Sequence, residues 1–142
     1  MLILDTDHLT VIQRQSEPDY TILRDRLRRT PEIVCTTIVN IEEQLRGWLA
    51  VISRSRKVEQ DIVAYRQLHA LFAFFGSIPV VDFDAAVAAR LVQLRRSGVR
   101  LGAIDLKIAA IGLAQEAVLL SRNLADFRRV PGLRVEDWTE SE

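Results

Sequence analysis

The sequence predicts a three-layer α/β/α fold built on a central, mainly parallel sheet of four to five strands, and three observations carry that expectation. Short apolar runs without polar interruption (Leu2–Leu4, Ile33–Cys35, Ile78–Val81, Ala117–Leu120) read as strands buried on both faces. Longer segments with apolar residues at helical spacing separate them, the pattern of strand–helix–strand units. No linker or internal repeat interrupts the alternation, so residues 1–142 are expected to form one domain.

Taken in order, Leu2–Leu4 is the first strand, and Thr6 or Asp7 offers a cap for a short helix from about His8 to Arg14. Pro18 and Asp19 mark the start of a second helix, which Ile22, Leu23 and Leu27 space as far as Arg29 before Thr30-Pro31 stops it. After the strand Ile33-Val34-Cys35, Thr36 or Thr37 caps a helix whose apolar positions are Ile38, Ile41, Leu45, Leu49 and Ile52. The longest helical signal runs from Ser55 to Phe75, with Val58, Ile62, Tyr65, Leu68 or His69, Phe72 and Phe75 as its apolar stripe and Gly76 as its C-cap. Part of that stripe, rich in phenylalanine at its end, is wide enough to face a partner subunit. Pro79 gives Ile78–Val81 an edge or strand-start position. Asp82 or Asp84 then caps a helix over 85–96 that Gly98 ends, and a further helix covers Ala103–Gln115. Ala117–Leu120 is the fourth strand, Asn123–Phe127 a single helical turn, and Leu133–Val135 a last short strand.

Composition narrows the function classes. A hydrophobic fraction of 49% supports a packed core, and no apolar run reaches the roughly 20 residues a membrane span needs. The N-terminal apolar run is too short for a signal peptide and lacks a basic region before it, so a cytoplasmic location is expected. Cys35 stands alone in an apolar stretch and reads as an inert core thiol. The formal net charge is zero, which argues against a general nucleic-acid-binding coat. All the basic residues except Lys57 and Lys107 are arginine, whose forked donors suit phosphate recognition.

The acids point to chemistry through topology. In a parallel sheet of this kind, ligands bind at the carboxyl ends of the strands. Asp5 ends the first strand, Glu43 lies near the start of the helix after the second, and Asp105 is in the first turn of the helix before the fourth. Ser121, Asn123 and Asp126 follow the fourth strand, so all of these residues are expected at one rim. Each acid alone has an ordinary use as a turn residue or a first-turn helix acid. Together they repel: two carboxylates about 4 Å apart cost roughly 4 kcal/mol at an effective dielectric near 20. The cluster therefore suggests a hard cation, Mg²⁺ or Mn²⁺, on oxygen ligands. Such a cluster, without an activated nucleophile, suits metal-assisted attack of water on a phosphoryl group. Arg46 and Arg122 are candidate phosphodiester contacts, and Thr6 and Ser121 candidate orienting hydroxyls.

Asp5-Thr6-Asp7 after an apolar strand, Glu43-Gln44-Leu45-Arg46-Gly47, Gly102-Ala103-Ile104-Asp105 and Leu120-Ser121-Arg122-Asn123 with Asp126-Phe127 resemble the PIN-domain ribonucleases, in particular the VapC-type toxins of type II toxin–antitoxin pairs. The resemblance covers nearly the whole chain. It implies a Mg²⁺- or Mn²⁺-dependent endoribonuclease with Asp5, Glu43 and Asp105 as the acid core of the metal site. Asp126 is favoured as the fourth acid, and Asn123 as a neutral ligand. It also implies an RNA substrate, a cognate antitoxin laid across the acidic groove, and a homodimer. Asp7, where the family commonly has Asn, is read as a cap, which makes Asp7→Asn a nearly silent change for a nuclease. The alternatives are a haloacid-dehalogenase-like phosphatase using Asp5 and Asp7, and a non-catalytic PIN-like binding module. For the phosphatase, Lys107 and Asp105 come in the wrong order relative to Ser121.

Overall fold

Five strands of two to four residues pair in the order β3-β2-β1-β4-β5, every pairing parallel, in a computed structural model that describes residues 1–142. They are β1 (Leu2–Leu4), β2 (Val34–Thr37), β3 (Val80–Val81), β4 (Val118–Leu120) and β5 (Arg134–Glu136). The helices are α1 (Thr6–Arg14), α2 (Asp19–Arg29), α3 (Ile38–Arg54), α4 (Val58–Gly76), α5 (Ala85–Arg96), α6 (Ala103–Ala114) and the single turn α7 (Leu124–Phe127).

Alternation along the central strands separates the helices into two layers. Ile3 and Leu119 enter the larger core cluster with Val87 and Leu91 of α5, Ile108 and Ile111 of α6, and Phe127. Leu2, Leu4 and Leu120 form the smaller cluster with Leu9 of α1, against which Leu27, Phe74 and Phe75 pack. The three-layer parallel fold is thus as the sequence predicts, with five strands in its sheet. The strand order reverses beside β1: the chain moves through β2 to β3 on one side, and β4 and β5 lie on the other. In open parallel sheets, the crevice at the carboxyl ends of the strands flanking such a reversal is the ligand position. Here those strands are β1 and β4, which end at Leu4 and Leu120.

Several local expectations are corrected. Asp5, in extended conformation, caps α1 and accepts from the Thr6 N–H, so Thr6 and Asp7 are already helical. β2 begins at Val34 and runs to Thr37, leaving Ile33 exposed, and Thr37 caps α3. On α3 the buried positions are Val39 and Asn40, while Ile38 and Leu49 are exposed. On α4, Ala64 and Leu71 are buried, whereas Val58, Ile62, Tyr65 and Phe72 are 56–73% exposed and His69 faces solvent. α4 is apolar nearly all round, so periodicity alone does not select its packed face. Phe74 and Phe75 fold onto the smaller cluster in an edge-to-face pair, which leaves Phe72 as the exposed phenylalanine at that end. Gly76 lies within the last turn of α4, and Ser77 ends the helix with its hydroxyl donating to the Phe74 carbonyl at 2.6 Å. β3 is an edge strand, as Pro79 suggests.

Candidate functional site

Asp5 is the fixed point of the rim. As the cap between β1 and α1 it is 7% exposed. Its Oδ1 accepts from the Thr6 N–H at 2.9 Å and from the Asn40 amide at 2.9 Å, and its Oδ2 accepts from the Ser121 hydroxyl at 2.7 Å. Burial pushes its carboxyl up to about 6, helped by the charge of Asp7 and opposed by those three donors.

Asn40 holds the second element to the first. Thr37 caps α3 by accepting from the Asn40 N–H at 3.1 Å and donates to the Asn40 side-chain oxygen at 2.7 Å. This aims the Asn40 amide at Asp5 and, at 3.2 Å, at the Thr6 hydroxyl. The Thr6 hydroxyl in turn donates to Glu43, one turn along α3. Adjacent Glu42 instead pairs with Arg46 at 2.6 Å, so the two glutamates part as a 100° helical step requires.

Asp105 and Asp126 close the rim. Burial raises the Asp105 carboxyl, and the charges of Glu43, Asp126 and Asp7 raise it further, so these acids share one electrostatic field. Asp126 accepts from the Asn123 amide at 3.1 Å, and Arg129 stands 3.5 Å from its other oxygen. Arg122 turns elsewhere: its guanidinium meets Asp19 and, at 3.1 Å, the Thr139 hydroxyl. Arg46 is committed to Glu42 while 71% exposed.

The rim supplies oxygen donors only, the set preferred by Mg²⁺ and Mn²⁺. No three carboxyl groups stand at mutual ligand spacing. Glu43 is held toward Thr6 and Asp126 toward Asn123, so the donor chemistry fits a hard cation while the set is open. A cleft of about 550 Å³ between α1, α3 and α4 begins at this point, with Thr6 and Glu43 in its wall beside Arg14, Gln44 and Trp48.

Two participants escaped the sequence reading. Asn40 is fully buried, and its signal was a neutral polar residue three places after Thr37 in an otherwise apolar helix start. Asp7 is no cap. Its Oδ2 accepts from the Arg122 N–H at 2.9 Å, and its Oδ1 is 2.6 Å from the His8 ring. Burial pushes the Asp7 carboxyl up, but the His8 contact, Arg122 and Ser121 together hold it below the usual carboxylate range.

Comparison with known proteins agrees with this architecture. The family model described as PIN domain matches residues 2–133. The chain belongs to the PIN-domain family. This PIN domain is 26% identical over 140 residues to the tRNA(fMet)-specific endonuclease VapC of Salmonella typhimurium, covering 96% of both chains. It is 30% identical over 115 residues to Ribonuclease VapC2 of Haemophilus influenzae, covering 78% of this chain and 87% of that one. Among solved structures it superposes on DNA-bound VapBC from Salmonella typhimurium with a TM-score of 0.75 and 26% identity, covering 96% of this chain and 97% of that one. The relatives place it with VapC-type nucleases, and the phosphatase alternative is not favoured.

Proposed function

We propose that this PIN domain is a divalent-metal-dependent endoribonuclease and the toxin of a toxin–antitoxin pair. The observation that carries the reading is the shared field at the rim: Asp105 is raised by burial and then by Glu43, Asp126 and Asp7, acids contributed by separate segments of the chain. Asp5, Glu43, Asp105 and Asp126 are the residues that would hold Mg²⁺ or Mn²⁺, with Asn123 as a neutral neighbour. When bound, the ion supplies a lowered water pKa and neutralises charge growing on the phosphoryl oxygens.

The remaining work falls to the chain itself. Asn40 and Ser121 each hold one oxygen of Asp5, which fixes the orientation of the carboxylate. Thr6 holds Glu43 in reserve at the mouth of the cleft. Arg46, on the surface beside Glu42, remains the phosphodiester contact we favour, whereas the Arg122 guanidinium is engaged by Asp19 and Thr139.

The partner reading rests on the relatives. The solved neighbour is a VapBC complex bound to DNA, and we infer a cognate antitoxin for this chain that covers the rim and its cleft. A second copy is proposed against the exposed Val58, Ile62, Tyr65 and Phe72 of α4. No helix is long and apolar enough to cross a membrane.

Purified protein incubated with RNA and Mg²⁺ or Mn²⁺ should cleave it, with cleavage abolished by chelator and by Asp5→Ala. Expression should arrest growth, and Asp5→Ala should relieve the arrest. Metal-independent cleavage contradicts the metal site, and no cleavage by wild-type protein across a broad RNA pool contradicts the nuclease reading and leaves a binding module.

A further inference from the structure

A chain of hydrogen bonds runs from the segment after β5 to the rim through His8 and Asp7, to which the nuclease reading gives no ligand role. The Trp138 N–H donates to His8 Nε2 at 3.1 Å. His8 is completely buried, and its Nδ1 lies 2.6 Å from Asp7 Oδ1. Asp7 Oδ2 accepts from the Arg122 N–H at 2.9 Å and lies 3.3 Å from the Ser121 hydroxyl. That hydroxyl donates to Asp5 and accepts from the Asn123 N–H at 3.1 Å.

The donors and acceptors along this chain admit one arrangement. A backbone N–H can only donate, so His8 Nε2 is the acceptor and the ring proton sits on Nδ1. That proton then requires an acceptor, and Asp7 Oδ1 supplies it. The other Asp7 oxygen already faces the Arg122 N–H. Both ends of the Asp7 side chain therefore meet donors, which a carboxylate satisfies and an amide does not. Asp137 is the competing partner, 3.5 Å from Nε2, but the same oxygen accepts the N–H and hydroxyl of Thr139 at 2.8 and 2.6 Å.

We propose that Asp7 and His8 form a positioning pair that ties the segment Asp137–Thr139 to the Ser121–Asn123 loop and thereby sets Ser121 against Asp5. The inference rests on the proposed nuclease function for its consequence, but its geometry stands in the chain itself. It also reverses the expectation that Asp7→Asn is nearly silent. In Asp7→Asn an amide N–H must oppose either the His8 Nδ1–H or the Arg122 N–H, and the loop carrying Ser121 loosens. His8→Leu removes the Nδ1–H that demands an acceptor, so an amide at position 7 can turn its oxygen to the Arg122 N–H without facing a second donor. The Trp138 N–H loses its acceptor whichever residue stands at position 7.

The test uses the full chain, its two single variants and the double variant, with Mn²⁺ as the probe. Asp7→Asn should lower kcat by about 10–100-fold and weaken Mn²⁺ binding by about 10-fold, as loss of residues supporting metal ligands does elsewhere, with KM for RNA little changed. In the His8→Leu background, which lacks the Nδ1–H, Asp7→Asn should cost little further. Nitrogen NMR of wild-type imidazoles should show His8 protonated at Nδ1 and bare at Nε2. A proton on His8 Nε2, or an Asp7→Asn defect of the same size in both backgrounds, overturns the pair. So does an Asp7→Asn protein that melts lower but keeps wild-type kcat and Mn²⁺ affinity. If wild-type protein cleaves no RNA, the proposed function fails while the imidazole spectrum still decides this inference.

Discussion

The Ser121 hydroxyl donates to Asp5 Oδ2 at 2.7 Å across the gap between β4 and β1, the point where the strand order reverses. Residues 116 apart in the sequence are thereby joined at the ligand edge of the sheet. The bond favours the charged form of a carboxyl that burial pushes up to about 6. Ser121→Ala should therefore raise the Asp5 carboxyl further and destabilise the metal-free protein by about 1.5–3 kcal/mol near neutral pH, the worth of a hydrogen bond to a charged group. Denaturant unfolding in chelator checks this, and an unchanged midpoint would show that water replaces the hydroxyl without loss.

Asp5 also sets a pH dependence. Its folded value, about 6, lies above its ordinary value of 3.8, so the folded state binds the extra proton between those limits. Metal-free stability should fall as pH rises from about 4 to about 6 and level off above, by roughly 3 kcal/mol for a shift of this size. Asp105, shifted in the same direction, adds to the slope. Asp7 is held low, so its contribution is lost on the acid side as pH falls through its folded value. Asp5→Asn should flatten the fall between about pH 4 and 6 and raise the melting temperature at neutral pH in chelator, while abolishing cleavage. Thermal melts of both proteins across this range are the measurement.

Asn40 is the buried hub between α3 and the β1–α1 junction. Asn40→Ala removes the donor to Asp5 and leaves the Thr37 hydroxyl without its acceptor. Leaving such groups unpaired costs roughly 1–3 kcal/mol. The melting temperature should fall accordingly, and the substitution should free Thr6 and Glu43 as well. A neutral result would mean that the α3 cap alone holds the junction.

Much of this is legible in the sequence. Apolar runs and helical spacing locate the central strands and the helices, because a fully buried parallel strand leaves no polar interruption and a cap leaves a Thr or Asp at its border. β5, a mostly exposed Arg-Val-Glu, carries little of that signal. Chain topology alone takes Asp5, Glu43, Asp105 and Asp126 to the carboxyl edge. The strand order was not legible, since strands of two to four residues say nothing of edge or centre except where Pro79 marks an edge. The face that α4 buries was hidden for the same reason: Val58, Ile62, Tyr65 and Phe72 are as apolar as the buried Ala64 and Leu71. Side-chain direction lay further out of reach. Asp7 and Arg122 each look like site residues by position, yet Asp7 answers to His8 and the Arg122 guanidinium to Asp19.

Metal should also act on stability. With the ion at 100 times its Kd, mass action stabilises the folded state by about 2.7 kcal/mol. Millimolar Mg²⁺ or Mn²⁺ should raise the melting temperature of wild-type protein and leave Asp5→Asn unmoved. A melting temperature indifferent to both ions would mean that the rim is too dispersed to act as a site.

Calorimetric titration of Mn²⁺ into wild-type protein and Asp105→Asn at neutral pH tests the shared-rim account most directly. The account predicts saturable binding by the wild type, and binding weakened by at least about 10-fold in Asp105→Asn. Absence of binding by the wild type, or equal affinity in the variant, would contradict it.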